Sequence, residues 1–407
     1  MKHVGQYMRA MSAFLLLAVL VAAGCSKPAP KCVAPEDNPQ HHYLKGMELI
    51  DNDKLDEAAA KFDRALFCDA KTSIAHSGLA IVSAQKALKQ KAEYRKVDAQ
   101  AAFGHLESAS KTTESGEDAF AYQLAVMRVN TALKASDWLA QTEDAYKDAM
   151  KAKVDEKKLI YYNGREAAMF FMGRAYLDAR EFNKARDSFS SVLGEKRDSR
   201  WNAPAEKYWK KVDKIVRALA GITVGDVGKV IAMQESVSRG DMAALLIDEM
   251  RLEKLLAGRI PVESAVDKMK ADFTPADVLS SPFKEEILTL MKWKVRGLEP
   301  VFDETTKAYL FKSDEPVTRK QFAFVLEDVL IKLTGDDKIA TAFFGHDKSP
   351  YPDVLPTAAW YNAVMNVTTR SIMEAELSGE FRPNANVDGA EAMLAIRMLR
   401  QRLNINN

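Results

Sequence analysis

From residue 41 to about residue 200 the chain carries no proline, and its apolar positions recur every three to four residues. That spacing predicts amphipathic helices. Two stretches show it most clearly. In the first, His42-x-x-Lys45-Gly46-x-x-Leu49 leads through the polar turn Asp51-Asn52-Asp53-Lys54-Leu55 to Ala58-x-x-x-Phe62-x-x-Ala65. In the second, Met169-x-x-Met172-Gly173-x-x-Tyr176 is followed by Phe182, Ala185-x-x-x-Phe189 and Val192. A step of 34 residues from Gly46 lands on Ala80, within Gly78-Leu79-Ala80. Ala99/Phe103 and Tyr146/Ala149 mark drifted second helices between the two clear copies. Helical hairpins of this kind cannot bury an apolar face alone, so the pattern predicts a stacked solenoid over 41–200. After about residue 203 a different repeat begins. Val237-Ser238-Arg239-Gly240-Asp241-Met242-Ala243 returns 80 residues later as Val317-Thr318-Arg319-Lys320-Gln321-Phe322-Ala323. An altered copy, Val387-Asp388-Gly389-Ala390-Glu391-Ala392, follows after 70 more. Before each copy lies an aromatic-led helix that ends on a small residue and a branched one: Trp209 to Gly221-Ile222, Phe283 to Gly297-Leu298, and Trp360 to Ser371-Ile372. The expected fold class is all-α, with a triplicated module over 203–407 whose units span about 203–257, 273–333 and 351–405.

The hairpins over 41–200 resemble the tetratricopeptide repeat (TPR), with small residues where two helices cross and large ones filling the gap to the next pair. That resemblance implies a concave face that binds a protein partner, the alternative being a spacer. The second half resembles three tandem S-layer homology (SLH) domains, whose marks are F-x-D-V, an aromatic, G-I, G-x-F-x-P and V-T-R-A-E. Phe273-Thr-Pro-Ala-Asp277-Val278 and Tyr351-Pro-Asp353-Val354 stand for the first mark, and Gly379-Glu380-Phe381-Arg382-Pro383 for the fourth. The resemblance implies a pseudo-threefold helical bundle whose grooves bind a cell-wall glycan or peptidoglycan-linked polymer. It makes Arg239, Arg319, Trp209, Trp360, Asp277, Asp353, Gly379 and Arg382 the ligand candidates. Residue chemistry points the same way for the arginines. Ser238 and Thr318 are suited to cap a helix. An arginine directly after the cap sits near the positive end of the helix dipole, where a cation gains little from structure and much from an anionic ligand. A guanidinium fork fits a carboxylate, and a neighbouring tryptophan suits a sugar face. The competing readings make Asp277 and Asp353 helix caps, the tryptophans core residues, and the arginines partners of Asp241 or of a neighbouring unit's acid. Two departures stand out: Gly389 replaces the third arginine, and the first unit lacks an F-x-D-V.

The N-terminus adds an address. Lys2 and Arg9 precede the apolar run Met11–Ala23, which ends on Ala22-Ala23-Gly24-Cys25. This predicts a signal peptide over 1–24. It resembles the bacterial lipoprotein signal, which implies lipidation of Cys25, anchoring in a membrane and, from Ser26, the outer membrane facing the periplasm. The alternative is a soluble secreted protein cut near Gly24. Residues 25–40 hold four prolines and read as a linker. Cys25 aside, the chain has Cys32 and Cys68; export permits a disulfide between them, the alternative being two free thiols. His41 and His42 near Cys32 match no zinc spacing, and Asp51-x-Asp53 lacks the rest of a calcium loop, so no metal is expected. With 47% hydrophobic residues, 28% charged residues and a net charge of +1, the chain is neither disordered nor suited to nucleic acid. One apolar run excludes a polytopic membrane protein. No G-x-S-x-G, H-E-x-x-H or P-loop is present. The expectation is a non-enzymatic envelope lipoprotein without cofactor, tethering a membrane to cell-wall polymer and recruiting a protein. The alternative is an adaptor for outer-membrane or secretion machinery whose second module is only structural.

Overall fold

The structure, a computed structural model, describes residues 32, 34–114, 116–195, 198–259 and 269–405. The signal peptide expected over 1–24, Cys25 and most of the linker expected over 25–40 lie outside them. The described residues are mostly helical, as the apolar spacing predicts, with one two-stranded hairpin. None of their helices is long and apolar enough to cross a membrane. The chain divides into two compact units: 1–175 with 194–202, and 176–193 with 203–407. This division differs from a boundary at 200. The hairpin segment 176–193 belongs with the second unit because Phe189 stacks on Tyr208 with ring centroids 5.5 Å apart. Arg180 also reaches Asp226 there.

The first unit contains α1 (Pro39–Asp51), α2 (Leu55–Cys68), α3 (Ser73–Lys89), α4 (Ala92–Thr112), α5 (Gly116–Leu133) and α6 (Trp138–Lys151). Asn38 caps α1 by accepting from the His41 amide at 2.8 Å. Phe62 explains the small residues. Its fully buried ring lies between Gly46 of α1 and Gly78 of α3, and a Cβ at either glycine would fall onto it. Gly46 and Gly78 thus face one ring from the two helices on either side of it. In α4 the buried stripe is Ala102, Leu106 and Ala109, while Phe103 is exposed, so Ala99/Phe103 is not the packing pair. Cys32 and Cys68 are joined by a disulfide. Beside it, Asp37 accepts from Arg64 Nε at 2.9 Å and meets His42 Nε2 at 2.8 Å. The segment ahead of α1 is thereby fastened to α2. Cys32, Asp37 and Cys68 cluster closely enough to suggest a metal, but both sulfurs are spent in the bridge. Trp201, Tyr162, Phe170 and Phe171 form an aromatic core in which the Trp201 indole donates to the Tyr162 carbonyl at 2.7 Å.

α7 (Glu166–Asp178) runs from the first unit into the second, and α8 (Phe182–Gly194) follows it. The second unit continues with α9 (Asn202–Leu219), α10 (Asp226–Ala232), α11 (Arg239–Ala244) and α12 (Leu252–Ala257). It goes on through α13 (Lys284–Lys292), β1 (Val301–Asp303), β2 (Ala308–Leu310), α14 (Arg319–Thr334), α15 (Tyr361–Thr369) and α16 (Gly389–Arg402). The three repeat copies meet at their valines. Val237 N donates to Val387 O, Val317 N to Val237 O, and Val387 N to Val317 O, at 2.9, 2.9 and 3.0 Å. Each copy donates to one neighbour and accepts from the other, so the ring closes. All three valine side chains are essentially fully buried. This ring is the pseudo-threefold centre of the bundle, and a helix leaves from it in each copy.

Candidate functional site

Each of these helices starts as the repeat predicts. Ser238 and Thr318 form capping boxes with Asp241 and Gln321, and Asp388 accepts from the Glu391 amide at 2.8 Å. Arg239, Arg319 and Gly389 are the first helical residues.

The arginines do not face solvent. Both are 5% exposed. Arg239 donates Nε to the Phe311 carbonyl at 2.7 Å and Nη2 to the Glu299 carbonyl at 2.8 Å, with Nη1 toward Gly297 O at 3.4 Å. Arg319 donates Nε to the Phe381 carbonyl at 2.6 Å and Nη2 to the Glu374 carbonyl at 2.7 Å. Its Nη1 pairs with Glu391. Each guanidinium also lies over the ring whose carbonyl it holds, Phe311 at 4.9 Å and Phe381 at 4.7 Å. Burial pulls both groups below the ordinary arginine value, though neighbouring carboxylates hold the charge in place. These are contacts to the next unit of the chain, 55 to 72 residues away. Three of the five N–H donors of each guanidinium are thus given acceptors within the protein, and the acid that meets Arg319 is its own Glu391.

Asp277 and Asp353 hold the same loops from the other side. Asp277 accepts from the Phe311 and Lys312 amides at 3.0 and 2.5 Å. Asp353 accepts from the Phe381 and Arg382 amides at 2.9 and 2.6 Å. Neither makes a helix cap. Each phenylalanine is fixed by an aspartate at its amide and by the preceding unit's arginine at its carbonyl. Both rings are fully buried. Gly379 serves the turn, with φ +86 and open space where a Cβ would stand. Arg382 is exposed and pairs with Glu376 at 2.8 Å.

The tryptophans do not form a common platform. Trp209 is half-buried against α8 and donates to Ser190 Oγ at 2.8 Å. Trp360 is half-buried and precedes α15. The missing third arginine has a steric cause. A Cβ at Gly389 would fall on the carbonyl oxygen of Ile231, and the Gly389 amide donates to Gln234 O at 2.9 Å.

A cavity of about 290 Å³ opens beside Arg319. Lys214, Glu374, Glu376, Arg382, Asp388 and Glu391 line it. Charges of both signs therefore meet in one cleft. Lys214 pairs with Asp388 and Arg382 with Glu376, so a ligand would enter by exchanging these partners. Arg319 and Arg382 are sequence candidates; Lys214, Glu374 and Asp388 were not. Lys214 had no motif to mark it, because it reaches the cleft from α9, 174 residues before Asp388. A second polar cluster also escaped the motif reading. Buried Glu327 accepts from Asn362 and Asn366 at 2.5 and 2.7 Å, and Arg296 bonds both Glu327 and Asp328. Burial pushes the Glu327 carboxyl up. Every member of this cluster has a partner, which fits a fastening between α14 and α15.

Residues 350–393 match the S-layer homology domain (SLH). They contain Tyr351-Pro-Asp353-Val354, the α15 helix, the Gly379 turn and the start of α16. No curated protein and no solved structure matches the chain. The SLH domain associates the protein with the cell envelope or surface.

Proposed function

We propose that this chain is a non-enzymatic envelope lipoprotein that binds cell-wall polymer through its second unit and a protein partner through its helical hairpins. The observation that carries the reading is the closed valine ring, one of whose three copies lies in the matched SLH segment. Two further copies of the same build extend that domain to a triplicated module over about 203–407. The ligand site in this reading is the mixed-charge cleft at Lys214, Arg319 and Arg382, rather than Arg239 and Arg319 acting as free anion holders. Its alternating charges suit a glycan that carries an acidic group and neutral hydroxyls together. Lipidation at Cys25 places the linker against a membrane, with the outer membrane as the proposed site. The protein partner is assigned to the hairpins because Tyr94, Val97 and Phe103 stand exposed on α4.

The test is co-sedimentation of the purified protein with cell-wall sacculi from the host. Lys214→Ala with Arg382→Ala removes one half-buried and one exposed side chain of the cleft and should weaken retention about tenfold, as ~1.4 kcal/mol of lost contact would, with the helical circular dichroism unchanged. Retention by neither wild type nor variant would remove the wall-binding reading. The adaptor reading would then stand, with the module as a rigid mount for the hairpins.

A further inference from the structure

The three units differ most where the helix leaving the valine ring continues. α14 and α16 run unbroken for 16 and 14 residues. In the first unit α11 lasts six residues and passes into a π turn over Leu245–Glu249. Arg251 then takes a left-handed backbone, with φ +57, before α12 begins. π turns and left-handed non-glycine residues are uncommon, and both gather at functional sites. Here they turn the chain so that α12 borders a cavity of about 940 Å³. That cavity shares no lining residue with the cleft at Arg319.

Four cations and three carboxylates line the cavity, and they differ in how they are partnered. Arg251, Lys254 and Arg259 line it, and none of the three has an ion-pair or side-chain hydrogen-bond partner among the described residues. The acids nearby are mostly engaged. Glu249 accepts from the Gly225 and Gly228 amides, both at 3.1 Å, and Asp226 faces Arg180 at 3.6 Å. Asp248 is the remaining carboxylate on the lining. Arg400, donating to the Glu249 carbonyl at 2.9 Å, adds a fourth cation. Val224, Val227, Leu255 and Ile405 supply apolar wall between the charges.

We propose that this cavity binds a ligand bearing multiply charged phosphate. Three free cations within one loop and one helical turn ask for more than one negative charge at short spacing. Phosphate provides that, and its oxygens match both guanidinium and ammonium donors. The phosphate belongs either to a soluble polymer or to a lipid headgroup. The site stands apart from the wall-binding cleft, so either can fail without the other.

The probe is tripolyphosphate, titrated by calorimetry into the purified protein at low and physiological salt. Saturable binding is expected, weakened at least tenfold by Arg251→Gln with Arg259→Gln. Lys307→Gln, an exposed lysine paired with Glu304 on the β1–β2 turn, should leave it within twofold. Flotation with phosphatidylglycerol vesicles, against phosphatidylcholine, separates the sources. Retention lost in the Arg251/Arg259 variant assigns a lipid headgroup; tripolyphosphate binding without vesicle retention assigns a polymer. Absence of saturable binding, or equal binding by the Arg251/Arg259 and Lys307 variants, would overturn the site.

Discussion

Ser371 occupies the place that Gly221 and Gly297 hold in the earlier units, after the aromatic-led helix. All three have positive φ, +75 and +89 at the glycines and +53 at the serine. A left-handed backbone costs a residue with a Cβ about 1 kcal/mol relative to glycine. Ser371→Gly should therefore raise stability by about 1 kcal/mol, seen as a higher urea midpoint with an unchanged slope. Gly389 shows the reverse case, because its lack of a Cβ admits the Ile231 carbonyl. Gly389→Ala should lower stability by about 3 kcal/mol, since the ring of backbone bonds beside it leaves little room to shift. An equal midpoint would mean that the ring yields. Arg319 marks the limit of reading residues singly. Its place at the helix start is local, but its contacts are set by Phe381, Glu374 and Glu391, 55 to 72 residues on.

Within the elements, α3 and α4 bring His76 and His105 together, with rings stacked 6.0 Å apart. Burial lowers both histidines from the ordinary 6.5, and for His105 the neighbouring His76 lowers it further. The unfolded chain thus takes up protons at higher pH than the folded pair does. Stability is full above about 6.5 and declines as pH falls through and below it. His76→Phe with His105→Phe should flatten that decline in thermal melts between pH 7 and 5; an unchanged slope would place the titration elsewhere. Neither histidine lies in a motif, and their meeting follows from the crossing of the two helices. The hairpin elements themselves were legible from spacing, because glycine at a helix crossing and phenylalanine opposite it are a packing requirement visible in one dimension. The drifted copy at Ala99/Phe103 was not. α4 buries alanines and leaves Phe103 out, so the large residue misled where it carried no packing role.

For the whole molecule, the division at 175/176 has a direct consequence. A fragment starting at residue 203 loses the face that Phe189 gives to Tyr208 and the Ser190 partner of Trp209. A fragment over 176–407 should melt several degrees above one over 203–407, since about 1–3 kcal/mol of aromatic burial is worth that shift at this size. Equal melting temperatures would return the boundary to residue 200. In the first unit, the Cys32–Cys68 bridge ties the segment ahead of α1 covalently to the end of α2, 36 residues on.

The sequence by itself determined the helical class, the threefold recurrence of the Val237, Val317 and Val387 motif, and the caps at Ser238 and Thr318. All of these are set by residues within a few positions of one another, or by a repeat that can be compared with itself. The tertiary structure alone decided what the repeated pattern does. It spent the arginines on carbonyls, put Gly389 against Ile231, brought Lys214 to Asp388, and broke the first unit's helix to leave Arg251, Lys254 and Arg259 around a cavity. The physical reason is range. Capping and turn geometry act within one helical turn, whereas the partner of a long charged side chain is chosen by whichever distant segment packs beside it.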